Sequence, residues 1–420
     1  MAGAAPPSPR LSYIPEILEQ HYEDLQSLWS LRTAALHSPR FTLRELAKLD
    51  ERIEAHVQGM LIVGESLPDL VEPGLAESDP ATAFAAAFAL LRLDRAATTR
   101  LVLDRFTNAE GPALDGLRDA LCHAAPASTL REIEFLAGGD NAPVAASALE
   151  VLVYRSATPP TPDRAFAFLN AESPTARRIA WRVASALATP AEPKAFSAAM
   201  RDDDPLVRRE AIWAAVSARV LGIMLLARRF AESPDPAHLD LYCVLAVLGR
   251  PEDRALIETL AASAALGTPD DRLSLIGAYG WPGHVEMLID RMSPSDPETA
   301  VAASRAFTRI TGVDVSSLAM ATLPPEEPTG DADLDAAFAR EEPLPDPARA
   351  RTAWAQLRPR IGNAVRLCRG SDVSRGASSE HLTGVDLASR SDMAARNRFY
   401  GLPAPSTTDI TRYPARVPRP

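Results

Sequence analysis

The stretch DPLVRREAIWAAV at residues 204–216 contains the features that decide the fold. Its second residue is proline, which is favoured at the first position of a helix because an N–H there would have no helical partner. The apolar residues that follow recur at a helical spacing, with charged residues between them. The stretch therefore predicts an amphipathic helix that begins at Pro205.

Prolines in a similar setting recur along most of the chain. Eight of them, separated by 32, 31, 31, 31, 31, 33 and 28 residues, are Pro80, Pro112, Pro143, Pro174, Pro205, Pro236, Pro269 and Pro297. A period of about 31 residues holds two short helices and their turns, and such units bury their apolar faces only by stacking on one another. The sequence therefore predicts an all-α fold, an α-solenoid of about eight two-helix repeats over residues 79–319.

Two longer amphipathic helices are predicted ahead of the repeats, within residues 13–78, while residues 1–12 are expected to be disordered. Thr42 and Glu45 have the spacing of a capping box at the start of the second helix. The two helices should pair as an antiparallel hairpin that caps the solenoid at its N-terminal end.

The predicted hairpin places specific side chains opposite each other. In an antiparallel pair with a short connection, His21 is predicted to face His56, and Arg32 to approach Glu45. Asp50 and Glu54, one turn apart, are expected on a solvated or inter-helix pairing surface.

The composition of the chain changes after the repeats. Residues 320–344 contain seven acidic residues against one arginine, with several prolines, and are predicted to form an acidic linker. Residues 345–420 contain 13 arginines against six acidic residues, and one helix is predicted around 348–369 before a mostly irregular remainder. This Arg-rich segment could bind an acidic protein or nucleic acid, or fold back onto the acidic repeats. The sequence leaves these alternatives open.

Composition limits the classes of function. With 46% apolar and 24% charged residues the chain can bury a core, and its net charge of −11 makes nucleic acid an unexpected partner for the chain as a whole. The longest apolar stretch, residues 81–91, is shorter than the roughly 20 residues of a membrane span, so no membrane insertion is expected. Cys122, Cys243 and Cys368 are isolated and no secretory signal is recognisable, which predicts a cytoplasmic protein with reduced thiols.

Four residues in the repeats are candidates for binding a protein partner. Trp181 and Trp213 are 32 residues apart, nearly one repeat, so they either pack the core or line one groove as anchors. Arg178 and Arg209 lie beside them and either bind the partner or form salt bridges within their own repeat. Core packing and salt bridges are the alternatives to a binding role.

No residue is predicted to be catalytic, to bind a cofactor or to bind a metal ion. His21 and His56 could together ligate a metal or titrate as a switch, but their faces offer no third ligand, so a structural polar pair is favoured. Cys122 and His123 are adjacent and point to different faces, which predicts one core and one surface residue. Nucleotide-binding, hydrolase and zincin motifs are absent from the sequence.

Three stretches together resemble a known family. They are ILEQH at 17–21 with LWSLR at 28–32, LDERIEAH at 49–56 with Gly59, and AFTRITG at 306–312. They resemble a family of uncharacterised bacterial HEAT-like repeat proteins that are often encoded beside type VI secretion genes, and residues 204–211 look like a HEAT-like unit. The resemblance implies a non-catalytic accessory or adaptor protein whose partner is a secretion effector, spike or adaptor, and it assigns no site residues.

The sequence therefore favours a protein-binding scaffold and leaves two rivals. One is an enzyme of the lyase or isomerase type that uses the repeat groove and retains a metal ion or small molecule at His21 and His56. The other is a nucleic-acid binder that acts through the Arg-rich segment 345–420, with a steep dependence on salt. The identity of the partner, the face that binds it and the oligomeric state stay open.

Overall fold

The computed structural model of the chain describes residues 14–156, 158–325, 329 and 332–415. These residues form 22 α-helices and four short strands, so the helical prediction is confirmed in its main feature. They divide into two compact units, one of residues 14–214 together with 406–415 and one of residues 215–405. The predicted disorder of residues 1–12 lies outside the described part of the chain.

The first unit is entirely helical among its described residues. Its helices are α1 (Pro15–Ala35), α2 (Leu43–Leu61), α3 (Leu67–Val71), α4 (Pro80–Arg92), α5 (Ala96–Thr107), α6 (Gly111–Ala124), α7 (Leu130–Leu136), α8 (Ala142–Arg155), α9 (Pro162–Phe166), α10 (Pro174–Leu187), α11 (Pro193–Ala199) and α12 (Pro205–Ser217). The last residues of α12 belong to the second unit.

The second unit combines helices with two small antiparallel sheets. Its elements are α13 (Gly222–Ala231), α14 (Leu239–Leu248), α15 (Arg254–Ala262), α16 (Pro269–Tyr279), α17 (Val285–Asp290), α18 (Pro297–Thr311), β1 (Ser316–Leu323), α19 (Ala332–Ala337), β2 (Arg340–Pro345), α20 (Pro347–Leu357), β3 (Leu367–Cys368), β4 (Ser371–Asp372), α21 (Ser379–Gly384) and α22 (Leu387–Phe399). Among all described residues, no helix has both the length and the apolar character that crossing a membrane requires.

The eight regularly spaced prolines begin helices, as predicted. Each stands at the first or second position of an α-helix or of a short 3₁₀-helix. A side chain often caps the same end: Asp79 accepts a hydrogen bond from the N–H of Thr82 at 2.8 Å, and Asp296 accepts one from Thr299 at 3.1 Å. Proline and cap together satisfy the helix start, which explains why the spacing of prolines predicts the spacing of helices.

Alternate helices of the first unit pack side by side. Helix α4 packs on α6, α6 on α8 and α8 on α10, and in the second unit α14 packs on α16 and α16 on α18. Close approach needs small side chains: a Cβ at Gly116 would lie 2.3 Å from the carbonyl oxygen of Pro80. This packing is of the kind that the repeat hypothesis requires, and a solenoid with a 31-residue period stays a prediction.

The N-terminal hairpin forms as predicted, with one different ion pair. Helices α1 and α2 pack together, and α2 begins with the capping box of Thr42 and Glu45. Because Glu45 is engaged in that cap, Arg32 does not pair with it; Arg32 binds Asp50 instead, at 2.6 Å, with both side chains buried. The prediction for Arg32 was therefore wrong, and Asp50 is not a solvated residue.

Residues 320–344, predicted to be an acidic linker, are partly β-structure. Strands β1 and β2 pair antiparallel at the two ends of this region. The last residues of β1 turn inward, and Leu323 packs near Val301 of α18 in a small apolar cluster. Ala321 and Leu323 alternate with exposed residues at the end of β1, as in a strand with one buried face. This short pattern stands beside prolines and carboxylates, and the strand was not predicted from it. The middle of the region, 326–328 and 330–331, lies outside the described residues.

The prediction of one helix and an irregular remainder for residues 345–420 was wrong. Helix α20 ends at Leu357, and β3, β4, α21 and α22 follow it. Helix α22 was not predicted because several of its buried residues are polar, among them Arg396 and Asn397. An apolar stripe therefore does not mark its inner face.

Buried arginines of this segment bind the C-terminal end of α14. Arg366 donates to the carbonyl oxygens of Val247 at 2.7 Å and Ala246 at 2.9 Å, and Arg396 donates to that of Val247 at 3.1 Å. The hydroxyl of Tyr400 donates to the next carbonyl, that of Leu248, at 2.5 Å. Burial and the like charge of Arg396 lower the pKa of Arg366. These donors satisfy carbonyls that a helix end leaves without partners.

Candidate functional site

A segment from the last part of the chain lies against the helices of the first unit. We call residues 406–415 the tail segment, and Tyr413 is the residue with the most extensive ring contacts in it. Its ring packs edge-on against Phe88, with ring centroids 5.4 Å apart, and it also contacts Trp29 and His123. Residues 406–415 therefore fold back onto helices of the first unit, which agrees with one of the alternatives for the Arg-rich segment.

Side chains from five helices form the surface that holds the tail segment. We call them the tail site: Trp29 and Arg32 of α1, Asp50 and Glu54 of α2, Phe88 of α4, His123 of α6 and Tyr154 of α8. The first two stretches that carry the family resemblance supply four of these residues. The site is thus formed by the hairpin of α1 and α2 together with α4, α6 and α8.

Arg32 binds the main chain of the tail segment. Its guanidinium is fixed by the ion pair with Asp50, and it is almost completely buried, at 1% exposure. The same guanidinium donates to the carbonyl oxygen of Arg412 at 2.8 Å and, more weakly, to those of Ile410 and Thr411 at 3.4 Å. One side chain therefore binds three consecutive carbonyl groups, which a planar guanidinium with five N–H donors can do.

The two carboxylates of α2 bind the other end of the tail segment. Asp50 accepts a hydrogen bond from the N–H of Ala415 at 2.6 Å. The phenol of Tyr413 donates to the Glu54 carboxylate and to the Asp50 carbonyl, each at 3.2 Å. Arg92 holds Glu54 with two hydrogen bonds of 2.7 and 2.8 Å, and it lowers the pKa of Glu54 to about 2. Glu54 is therefore an ionised acceptor over the whole physiological pH range.

His123 accepts the N–H of Tyr413 at its Nδ1 atom, at 3.2 Å. Burial lowers the pKa of His123 well below its usual value, and the positive charges of Arg32, Arg155 and Arg412 act in the same direction. The ring is thus neutral in the folded chain, and a neutral ring with an unprotonated Nδ1 is the form that can accept this N–H. Of Cys122 and His123, predicted as one core and one surface residue, Cys122 is buried and His123 is half-buried.

Tyr154 contacts the side chains of the tail segment rather than its backbone. Its hydroxyl donates to Oγ1 of Thr411 at 2.7 Å, and the guanidinium of Arg412 lies over its ring at 5.9 Å from the centroid. Arg412 also donates to the carbonyl of Val153 at 3.4 Å. Burial raises the pKa of Tyr154, so its hydroxyl stays protonated and available as a donor.

This arrangement can bind a short polypeptide segment that is folded into a turn. Three carbonyl groups and two N–H groups of the tail segment are bound by side chains of the tail site, and these bonds do not depend on the identity of the bound residues. The ring of Tyr413 and the hydroxyl of Thr411 add contacts that do depend on it. Main-chain bonds supply register, and side-chain pockets supply specificity, as in other sites that bind peptides.

Charged residues continue from the tail site along α6, α8 and α10. Arg118 pairs with Asp115 within α6 and approaches Glu150 of α8 at 3.2 Å. Arg178 of α10 pairs with Asp115 at 3.1 Å, and Arg182 pairs with Glu150. Arg178 therefore forms a salt bridge, as one alternative had it, but its partner is Asp115 of α6 and not a carboxylate of the same predicted repeat.

The four predicted anchor residues do not form one site. Trp181 is buried, at 2% exposure, and packs in an apolar cluster with Phe196, so it is not available to a partner. Its prediction as an anchor is corrected to core packing. Trp213 is half-buried and Arg209 is exposed, and a binding role for these two residues stays a prediction.

His21 and His56 face each other as predicted. Their Nδ1 atoms lie 3.1 Å apart, so one ring donates and the other accepts. A Cβ at Gly59 would lie 2.6 Å from Nε2 of His21, so glycine is needed for the ring to take this place. Asp24 lies 3.6 Å from His56, yet among the described residues no group of three or more His, Cys, Asp or Glu side chains could hold a metal ion. The geometry is that of a structural polar pair.

Comparison with known proteins finds no family model that matches this chain, and no curated protein matches it. The resemblance to HEAT-like proteins of type VI secretion gene clusters therefore stays a prediction.

Most residues of the tail site were not predicted from the sequence. Tyr413 carried one signal, since it stands between arginine and proline in a region with few other aromatic residues. Asp50 and His123 carried no signal in the sequence. Their partners lie far along the chain, and the pattern of neighbouring residues does not indicate a distant partner. The hairpin register was predicted correctly for His21 and His56, but Glu45 caps α2, so Arg32 pairs with Asp50 instead.

We expect acidification to weaken the first unit through His123. The unfolded chain takes up a proton on His123 near its ordinary pKa of 6.5, whereas the folded chain keeps the ring neutral, so stability falls as the pH drops below 6.5. Between pH 7 and pH 5 this one group lowers the free energy of unfolding by up to about 2 kcal/mol. Urea denaturation of the wild type and His123→Gln at several pH values measures it.

The difference between the two proteins isolates His123 from the other histidines. The pKa values of His37 and His56 are also lowered, mainly by burial. These two histidines contribute equally to the pH dependence of stability in the wild type and in the variant. The advantage of the wild type over His123→Gln should therefore be largest at pH 7 and shrink toward pH 5. An unchanged difference across this range would show that His123 accepts a proton in the fold.

Proposed function

We propose that this chain is a non-catalytic protein-binding scaffold, and that the helices of its first unit hold a short segment of polypeptide. The observation that supports this most directly is the tail site, which binds main-chain groups of residues 410–413 and 415 through buried side chains. A surface that already accommodates one polypeptide segment in this manner is suited to accommodating another of similar chemistry.

The proposal extends to the setting that the family resemblance implies. We propose that the protein acts in the cytoplasm as an accessory or adaptor protein beside a type VI secretion apparatus, with an effector, spike or other adaptor as its partner. Trp213 and Arg209, half-buried and exposed respectively, are the residues of the original anchor set that remain accessible to such a partner.

The nucleic-acid hypothesis draws little support from the arginines of the C-terminal segment. Arg366 and Arg396 are buried and bind carbonyl groups, and Arg369 pairs with Asp386 at 2.6 Å. A guanidinium in such a position is not offered to phosphate groups, which bind to accessible cations. The enzyme hypothesis rests on His21 and His56, whose rings satisfy each other.

Purification of a complex from the source organism tests the scaffold proposal. The tagged full-length chain is isolated under gentle conditions, co-purifying proteins are identified by mass spectrometry, and the strongest candidate is then made separately and titrated by calorimetry. We expect a direct complex with a protein of the secretion apparatus. Failure of every purified candidate to bind would contradict the scaffold proposal, and a retained metal ion or metabolite would favour the enzyme.

Matched variants locate the surface that is used. Replacing Trp213 and Arg209 together by alanine should weaken the complex at least tenfold while leaving the helical circular dichroism spectrum unchanged. Arg201→Ala, at another exposed arginine of the same unit, is the control and should bind as the wild type does. Equal binding by all three proteins would retain the scaffold and remove Trp213 and Arg209 from its surface.

A further inference from the structure

We propose that the tail site recognises a short, tyrosine-containing segment of another protein that adopts the same turn, and that residues 411–415 of this chain compete with it as a built-in ligand. This inference rests on the proposed scaffold function and names the chemistry of the partner. The segment has tyrosine at its centre, arginine and a hydroxyl residue before it, and a residue with a free N–H two positions after it. In the chain itself these are Tyr413, Arg412, Thr411 and Ala415.

The ring position defines the central residue. Phe88 meets the Tyr413 ring at 90° with centroids 5.4 Å apart, and the Arg32 guanidinium lies 5.6 Å from the ring centroid on another side. Edge-to-face aromatic contacts and a cation over a ring both stabilise an aromatic side chain. The phenol reaches Glu54, which Arg92 keeps ionised, so a hydroxyl at this place is bound by a charged acceptor. The site therefore prefers tyrosine to phenylalanine.

Hydrogen bonds to the backbone define the direction and register of the segment. His123 accepts the N–H of the tyrosine, and Asp50 accepts the N–H two residues later. Arg32 donates to the three carbonyl groups that precede the tyrosine. A shift of this sequence by one residue in either direction would place Pro414, which has no N–H, at His123 or at Asp50, so only one register satisfies both acceptors.

The partner is another protein rather than a second copy of this chain. The tail segment of a second copy would make the same contacts as the tethered one, yet it would also lose translational and rotational freedom on binding. A tethered segment acts at an effective concentration on the order of millimolar, so an identical free segment competes poorly. Only a partner that presents the segment on a larger surface, with contacts outside the tail site, displaces the tail segment.

Peptide binding to the full-length chain tests this inference. The probe is a fluorescein-labelled peptide with the sequence STTDITRYPA of residues 406–415, and fluorescence polarisation reports its binding. In full-length Tyr413→Ala the chain's own segment loses its ring and phenol contacts. We expect this variant to bind the peptide at least tenfold more tightly than the wild type does.

A second variant and two altered peptides make the test specific. Ala415→Pro removes the N–H that Asp50 accepts while keeping the ring, and it replaces Tyr413→Ala if that variant is not folded. A peptide with alanine in place of Tyr413 should lose at least tenfold in affinity, and one with phenylalanine should lose several-fold. Absence of peptide binding to both chain variants overturns the proposal, and equal binding to the wild type and the variants overturns the competition.

A library of natural protein segments then identifies the partner's chemistry. Peptides displayed from the source organism's proteins and selected on full-length Tyr413→Ala should be enriched in tyrosine preceded by arginine, and STTDITRYPA should displace them. Enrichment of unrelated sequences overturns the stated specificity. A purified partner protein that binds but is not displaced by STTDITRYPA would leave the scaffold function standing and overturn this inference. Peptide binding without any partner protein would retain the site and end the scaffold proposal.

Discussion

Replacement of Asp50 by alanine is expected to lower the free energy of unfolding by about 3 to 5 kcal/mol. Asp50 is 4% exposed and forms the buried ion pair with Arg32 at 2.6 Å. Without it, the Arg32 guanidinium stays buried without a counter-charge, and the N–H of Ala415 loses its acceptor. Urea denaturation of the full-length chain, followed by circular dichroism, measures the loss.

Two further proteins show that the effect belongs to the buried pair. Glu51→Ala changes the neighbouring, exposed carboxylate and should alter the free energy of unfolding by less than about 0.5 kcal/mol. Removing both charges, with Arg32→Met and Asp50→Ala together, should recover part of the loss because no charge is then buried alone. If the two charges act independently, the double variant loses the sum of the free energies of unfolding that Arg32→Met and Asp50→Ala lose separately. That result would contradict the buried pair.

Replacement of Trp181 by alanine is expected to destabilise the chain by about 3 to 5 kcal/mol, the usual cost of removing a buried indole. Its ring packs near Phe196 in a cluster that includes Ala184 and Val207. The variant leaves a cavity between α10 and its neighbours, because the surrounding side chains relax only partly. The same denaturation experiment measures the effect.

Trp213→Ala, in α12, provides the matched comparison 32 residues further along the chain. Its ring is half-buried, so the expected loss is smaller than for Trp181, about 1 to 2 kcal/mol. Any loss of partner binding in Trp181→Ala is therefore attributed to unfolding, whereas a loss in Trp213→Ala is informative about the surface. Equal and small losses of stability in both variants would contradict the assignment of Trp181 to the core.

The parts of the fold that sequence could predict follow from local rules. The eight prolines begin helices because proline suits a helix start whatever surrounds it, and the capping box of Thr42 and Glu45 forms within one turn. The contact of His21 with His56 follows from the geometry of two helices with a short connection. Each of these predictions needs only neighbouring residues or one hairpin.

The parts that sequence could not predict depend on buried polar residues with distant partners. Arg366 and Arg396 look like surface charges, yet they lie inside and bind the carbonyl groups at the end of α14. His123 and Asp50 receive N–H groups from residues near the end of the chain. Apolar periodicity contains no information about such pairs. The sequence therefore predicted only that the Arg-rich segment could fold back onto the rest of the chain, and it did not predict the residues of the tail site.

During synthesis on the ribosome, the tail segment is made after the helices that bind it, so the first unit completes its folding late. Arg32 and its ligand Arg412 are 380 residues apart, so the α1–α2 hairpin emerges long before the residues that complete its polar contacts. At about 5 to 20 residues per second, the interval is roughly 20 to 70 s. During that time the Arg32–Asp50 pair lacks the main-chain groups of the tail segment that it binds in the complete fold. The newborn protein therefore passes through a stage in which its tail site is open before its own tail segment exists.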